Sequence, residues 1–161
     1  MQRLNDAFLE REELTLSIAE LSDAALLAEA EALCFPRDGW SEKMFCETMQ
    51  GPVCTVYAVH DRHMSKIVAY CVVSNVCKEG EILNIAVIPE MRRCGMGKAL
   101  LQWVIDRCEK VGTEKLYLEV RSSNAAAKGL YSSCGFKEIG KRRNYYSNPR
   151  EDADILCREG K

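Results

Sequence analysis

Between Glu81 and Cys108 the chain changes its hydrophobic period from two to 3.6 across a proline and two glycines. The run Glu81 to Ile88 reads as a strand. Pro89 and the segment Arg92-Arg93-Cys94-Gly95-Met96-Gly97 read as a loop, and Leu100, Leu101, Val104, Ile105 and Cys108 form the apolar face of a long amphipathic helix. A strand that must hand over to a helix in this way requires layers of both kinds, so the class is α/β.

The remaining segments fit around that unit. Glu13 to Ile18 alternates like a short strand, and Ser22-Asp23 offers an N-cap for a helix through Leu26, Leu27, Ala30 and Leu33, stopped by Cys34-Phe35-Pro36. Ser41-Glu42-Lys43-Met44 opens a second, short helix that closes near Gly51-Pro52. Val53 to His60 and Ile67 to Ser74 predict an antiparallel hairpin whose turn holds His60, Asp61, Arg62 and His63. Lys115 to Val120 reads as a strand, Asn124 to Cys134 as a helix, and Phe136 to Tyr146 and Ala153 to Arg158 as two closing strands around a central mixed sheet.

No repeat, low-complexity stretch or Pro/Gly/Ser linker divides the 161 residues, so one domain from 13 to 161 behind a polar leader, 1–12, is the economical organisation. The 22 Lys plus Arg against 24 Asp plus Glu give a formal charge of -2, which provides no cationic field for nucleic acid. Apolar runs such as Ile67 to Val73 are far shorter than the roughly 20 residues of a membrane-spanning helix. The opening MQRLNDAFLERE lacks the apolar core of a secretory signal, which points to the cytoplasm. Nine cysteines at scattered spacing, with no Cys-x-x-Cys, predict reduced and mostly buried thiols rather than disulfides or a metal site. A metal at His60 and His63 is not expected.

The loop between strand and helix is the strongest local signal. Two glycines within three residues let the backbone approach a ligand, and a helix start offers free N–H groups and partial positive charge, an arrangement that suits a diphosphate. A phosphate-binding loop of the Walker type would need glycine at position 92 and Ser or Thr at position 99, where Arg92 and Ala99 stand. A dinucleotide fingerprint would need a third glycine where Leu100 stands. A tight turn is the plain alternative for the hexapeptide alone.

With Arg92-x-x-Gly95-x-Gly97 following Leu83-Asn84-Ile85-Ala86-Val87, the chain resembles the GNAT superfamily of acyl-CoA-dependent N-acetyltransferases. The continuation Leu118-Glu119-Val120-Arg121-Ser122-Ser123-Asn124, then Leu130-Tyr131, Gly135-Phe136 and Arg142-Arg143-Asn144-Tyr145-Tyr146, is similar to bacterial ribosomal-protein-alanine N-acetyltransferases of the RimI type. Trp40-Ser41-Glu42-Lys43 and Glu151-Asp152-Ala153 extend the likeness over roughly 13 to 157. Departures are a longer leader, Arg92 where glutamine is common, and a short tail.

The resemblance implies a single domain with a mixed sheet of about six to seven strands, splayed between the fourth and fifth, flanked by about four helices. It implies that pantetheine enters the splay against Ile85, Ala86 and Val87, with the Val87 N–H polarising the thioester carbonyl. It implies that Arg92, Arg93, Cys94, Gly95, Met96, Gly97 and Lys98 hold the diphosphate of acetyl-CoA, without a metal. Asn124 either caps the following helix or meets the pantetheine amides. Glu119 matches the general base, against the plain reading of a solvated strand glutamate, and Tyr131 matches the general acid, against a core aromatic packed with Leu130 and Phe136. Tyr145 and Tyr146, placed in the loop between the last two strands, and Trp40 match the acceptor-binding residues, with edge-strand packing as the alternative for the tyrosines. Cys94 and Cys134 have no histidine near in sequence to activate them, so direct transfer is favoured over an acyl-cysteine.

The expected reaction is acetyl transfer to the N-terminal α-amine of a protein, with the terminal alanine of a small-subunit ribosomal protein as target and partner. A lysine side chain or small amine as acceptor, or a non-catalytic acyl-CoA-binding sensor, are the alternatives. The oligomeric state is left open.

Overall fold

The computed structural model describes residues 13–160. The elements, in chain order, are β1 (Leu14–Ile18), α1 (Ala24–Cys34), α2 (Glu42–Gln50), β2 (Cys54–Asp61), β3 (Lys66–Val76) and β4 (Glu79–Val87). They continue with α3 (Met96–Lys110), β5 (Lys115–Arg121), α4 (Ala125–Ser133), β6 (Lys137–Ser147) and β7 (Arg150–Glu159). One seven-stranded sheet in the order β1-β2-β3-β4-β5-β7-β6 collects all the strands. The β4–β5 pair is parallel and every other pair antiparallel.

The seven-residue run Ile67 to Val73 becomes the middle of β3, and all of it is buried. A strand covered on both faces needs apolar residues on both. Consecutive residues show the two sides: Tyr70 meets Phe45 of α2 edge-to-face with ring centroids 5.6 Å apart, while Cys71 neighbours Cys108 of α3. The stripe expected on α3 is buried in full, from Leu100 to Cys108. On α1 the buried face is Ala24, Leu27, Ala30 and Glu31, and Leu33 is exposed.

The central feature is how β4 and β5 part. They pair from Glu79↔Lys115 to Ile82↔Leu118 and no further. β4 stays on β3 as far as Val87↔Ala69, and β5 stays on β7 as far as Arg121↔Ala153. Val73 faces Ile82 and Val72 faces Asn84, so Leu83 is an extra residue on β4. Such a bulge bends its strand and raises the local twist, and here it falls where β4 leaves β5. The splay expected between the fourth and fifth strands is therefore present, with its cause in the register.

Several local expectations change. β2 runs through Asp61, so His60 lies in the strand, and the turn that follows is closed by Met64 N–H donating to Asp61 Oδ1 at 2.9 Å. Of the nine unpaired thiols, Cys71, Cys108 and Cys134 are buried, four are half-buried, and Cys77 and Cys94 are exposed, so most thiols are not buried. β6 and β7 reach Ser147 and Arg150, which puts Tyr145 and Tyr146 inside β6 and leaves a two-residue turn in place of a loop. The leader 1–12 lies outside the described residues. Among the described residues, no helix is long and apolar enough to cross a membrane.

Candidate active site

Where β4 and β5 separate, a cleft of about 690 Å³ opens, with Ile82, Leu83, Asn84 and Ile85 on one wall and Leu118, Glu119, Val120 and Arg121 on the other. The end of α1 and the segment to Trp40 close one side, the start of α4 another, and the tip of β6 a third. Glu119, Tyr131, Asn124, Ile85, Trp40, Tyr145 and Tyr146 all line it, so residues from five separate stretches of sequence converge on one cavity.

Glu119 projects from the open end of β5, and its carboxylate takes an ion pair from Arg142 of β6, Nε to Oε1 at 2.7 Å. Its interaction with the Tyr145 hydroxyl is the main cause of a raised phenol pKa on Tyr145. Tyr145 and Tyr146 stack edge-to-face, with centroids 5.1 Å apart. The register of β6 on β7 slips between Arg142 and Tyr146, and Asn144 adopts a positive φ of 53° within that slip. This irregularity turns adjacent tyrosines and Arg142 toward the cleft, as a regular strand could not.

Tyr131 comes from α4, whose first turn is capped by Asn124 Oδ1 accepting from Ala127 N–H at 3.1 Å. The capping role of Asn124 is thus realised while the residue also lines the cleft. The Tyr131 ring packs edge-to-face on Phe136 at 6.0 Å. Burial, with Cys71 and Tyr146 adding, pushes its phenol well above the ordinary tyrosine range, so it holds its proton at any working pH.

The segment Arg92 to Lys98 lies past the end of β4, outside the lining of this cleft. Arg93 and Gly95 take positive φ values of 63° and 92°, and Gly95 is the N-cap of α3. The first intrahelical bond of α3 is Ala99 N–H to Gly95 O at 3.0 Å, so the N–H groups of Met96, Gly97 and Lys98 have no carbonyl one turn back. Met96 is buried, whereas Gly97 is half-buried and Lys98 exposed. Arg92 Nε donates to Val87 O at 2.8 Å, the same carbonyl that receives the Cys34 thiol at 3.4 Å. This arrangement, an open strand edge leading to free helix N–H groups, fits an extended ligand ending in a diphosphate.

The sequence reading missed Glu31. Its carboxylate is 2% exposed yet lines the cleft, and it accepts from Trp40 N–H at 2.9 Å and from the Asn84 amide at 3.1 and 3.0 Å. Burial raises its pKa, and the two donors partly offset that. The available signal was a glutamate in the i+7 position of a stripe set by Ala24 and Leu27. Phe35, Arg37, Asp38 and Leu83, also unassigned, line the mouth. Among the described residues, no three His, Cys, Asp or Glu side chains are grouped to hold a metal ion.

The chain matches the model of the acetyltransferase (GNAT) family over residues 18–136. It is 43% identical over 147 residues to the ribosomal protein bS18-alanine N-acetyltransferase of Escherichia coli strain K12, covering 89% of this chain and 95% of that protein. The crystal structure of the ribosomal-protein-S18-alanine N-acetyltransferase from Escherichia coli superposes with a TM-score of 0.83 at 39% identity, covering 91% of this chain and 93% of that one. The same fold recurs, with a TM-score of 0.75 at 18% identity, in a GNAT family acetyltransferase from Elizabethkingia anophelis with acetyl-CoA bound, covering 93% and 100% of the two chains. A splayed mixed sheet, a helix start reached through Gly95 and Gly97, and a match over most of the sequence agree: this chain belongs to the acetyltransferase (GNAT) family.

Proposed function

We propose that this protein transfers an acetyl group from acetyl-CoA to the N-terminal α-amine of a protein, with the terminal alanine of ribosomal protein bS18 as its acceptor. The observation that carries the reading is the meeting of Glu119 and Tyr131 in one cleft at the β4–β5 splay. The acceptor assignment is supported by the 43% identity to the bS18-alanine enzyme across nearly all of both chains.

Acetyl-CoA supplies an activated thioester. Ile85, Ala86 and Val87 would align its pantetheine along the free edge of β4, and the segment Arg93 to Lys98 would hold the diphosphate with backbone N–H groups. Trp40, Tyr145 and Tyr146 would bound the acceptor's side of the cleft. An N-terminal amine has a pKa of about 7.7–8.0 and enters mainly as ammonium. Glu119 takes that proton, directly or through a water, and frees the nitrogen lone pair to attack the thioester carbon. As the carbon–sulfur bond breaks, Tyr131 gives its phenolic proton to the sulfur, and the second proton of the attacking nitrogen passes to the phenolate, which leaves a neutral amide and restores Tyr131. The transfer is direct: Cys134 is buried and Cys94 donates its thiol hydrogen to Met91 O at 2.8 Å.

The test is thiol release from acetyl-CoA with short peptides that differ in their first residue, followed by mass spectrometry to locate the acetyl group. Acetylation of the α-amine with preference for alanine is the expected result. Acetylation of lysine or of a small amine would replace the acceptor, and tight acetyl-CoA binding without turnover would replace the activity.

A further inference from the structure

The Glu119 carboxylate already holds a cation. Arg142 Nε lies 2.7 Å from Oε1, and among the described residues no other basic side chain comes within 4.0 Å of it. The neighbouring Arg121 is committed elsewhere: it donates to the carbonyls of Asn148 and Pro149, pairs with Glu151 at 3.3 Å, and lies over the Tyr146 ring at 4.2 Å. Arg142 has no such anchors. Its side chain is 58% exposed, and its other contact is the face of Tyr145 at 5.5 Å. Exposed ion pairs are weak and easily exchanged. Here the outer partner, Arg142, is the exposed one, and it rests on a mostly buried Glu119 carboxylate that lines the cleft.

We propose that Arg142 is a gate on Glu119, which keeps the carboxylate from activating water until the acceptor's ammonium displaces the guanidinium. This inference rests on Glu119 being the base. An ungated base beside a thioester would catalyse hydrolysis: Glu119 takes a proton from water, the water oxygen bonds to the acetyl carbon, the carbon–sulfur bond breaks, and Tyr131 protonates the sulfur. The products are acetate and CoA, with atoms and charge balanced. With Oε1 taken by Arg142 and the Tyr145 hydroxyl also on the carboxylate, fewer acceptor positions remain for the water that this step requires. An ammonium restores the step for its own nitrogen, because it replaces one cation by another and then surrenders the proton.

Two readouts test the gate on the full-length protein. The first is thiol release from acetyl-CoA without acceptor: Arg142→Ala should raise it at least fivefold, Arg142→Lys less than twofold, and Arg142→Ala combined with Glu119→Gln should return it to the starting rate. The second needs no turnover. The Arg142 Nε–H signal in ¹H–¹⁵N spectra should be protected in the free protein, move when an alanine-initiated peptide is added, and lose its protection in Glu119→Gln. Unchanged hydrolysis in Arg142→Ala, with peptide acetylation still lost in Glu119→Gln, overturns the gate and leaves the base in place. Full peptide acetylation in Glu119→Gln overturns the base and the gate with it. A rise in Arg142→Lys equal to that in Arg142→Ala also overturns the gate, since a cation at this position is what it requires.

Discussion

The side-chain amide of Asn84 reaches both carboxylate oxygens of Glu31, at 3.1 and 3.0 Å, and so ties the bulged end of β4 to the last turn of α1. The same carboxylate holds the backbone of Trp40. One buried side chain thus braces the segment at Trp40 against β4. Gly39 fits closely beneath it, since a Cβ there would sit 2.9 Å from Glu31 Cγ and 2.7 Å from Phe35 O.

Glu31→Ala strands two buried donors and should cost about 2–4 kcal/mol of stability while raising the acceptor KM more than the acetyl-CoA KM. Glu31→Gln keeps an acceptor for Trp40, and a turned Asn84 amide can meet the new one. Burial raises the Glu31 pKa, so the folded state holds its proton more tightly than the unfolded chain. That cost is present at neutral pH and vanishes as pH falls toward the ordinary carboxylate range. Thermal melts of Glu31→Gln against wild type should show any advantage of the glutamine shrinking as pH is lowered.

Tyr131→Phe should leave the fold intact, because the ring that packs on Phe136 is kept. In the proposed mechanism the loss is the proton donor. We expect kcat to fall by about 10–100-fold, at the low end of general acid effects because a thiolate leaves readily. Acetyl-CoA affinity, measured by calorimetry, should stay within about twofold.

Gly95→Ala places a side chain at φ 92° with nothing within 4 Å, so its cost to the protein is conformational, about 1–2 kcal/mol. Gly97→Ala is the comparison. Its Cβ would rest 3.5 Å from Leu130 and 3.6 Å from Val87, ordinary contacts that the fold accepts. A loss of acetyl-CoA affinity in Gly97→Ala without a change in melting temperature would report the approach of the ligand itself.

Asp154 of β7 is fully buried and is held by Lys128 of α4, Lys141 of β6 and Ser122. Hydrogen bonds from Lys128, then Lys141 and Ser122, push its pKa far below the usual carboxylate value. A depressed pKa contributes stability above the unfolded value of roughly 3.9 and loses it as pH falls through the folded one. Asp154→Asn should therefore melt below wild type at pH 7, and the gap should close in melts taken at progressively lower pH below about 4.

Much of the frame was legible locally. The run Ile67 to Ser74 read as a strand and the stripe from Leu100 to Cys108 as one face of a helix, and the structure has both. The turn of β2 into β3 and the extent of β6 were less so, because strand ends depend on partner strands, as the pairing Tyr146↔Glu151 does for β6. For the site, the family resemblance singled out Glu119 and Tyr131, and both line the cleft. Arg142 was visible only as a member of the family-like segment Arg142 to Tyr146, with no role of its own, and Glu31 only as a glutamate in an apolar stripe.

The sequence by itself determined what periodicity and backbone chemistry encode: which segments are strands or helices, where two glycines free the backbone between β4 and α3, and which donors a helix start leaves free. Tertiary structure decided the rest. Leu83 is one residue too many for β3, and a bulge slips every later side chain by one place, so the splay exists only once β3, β4 and β5 are side by side. The contact of Arg142 with Glu119 joins strands that are neighbours only through β7. No local pattern records a distance between residues that the sheet alone brings together.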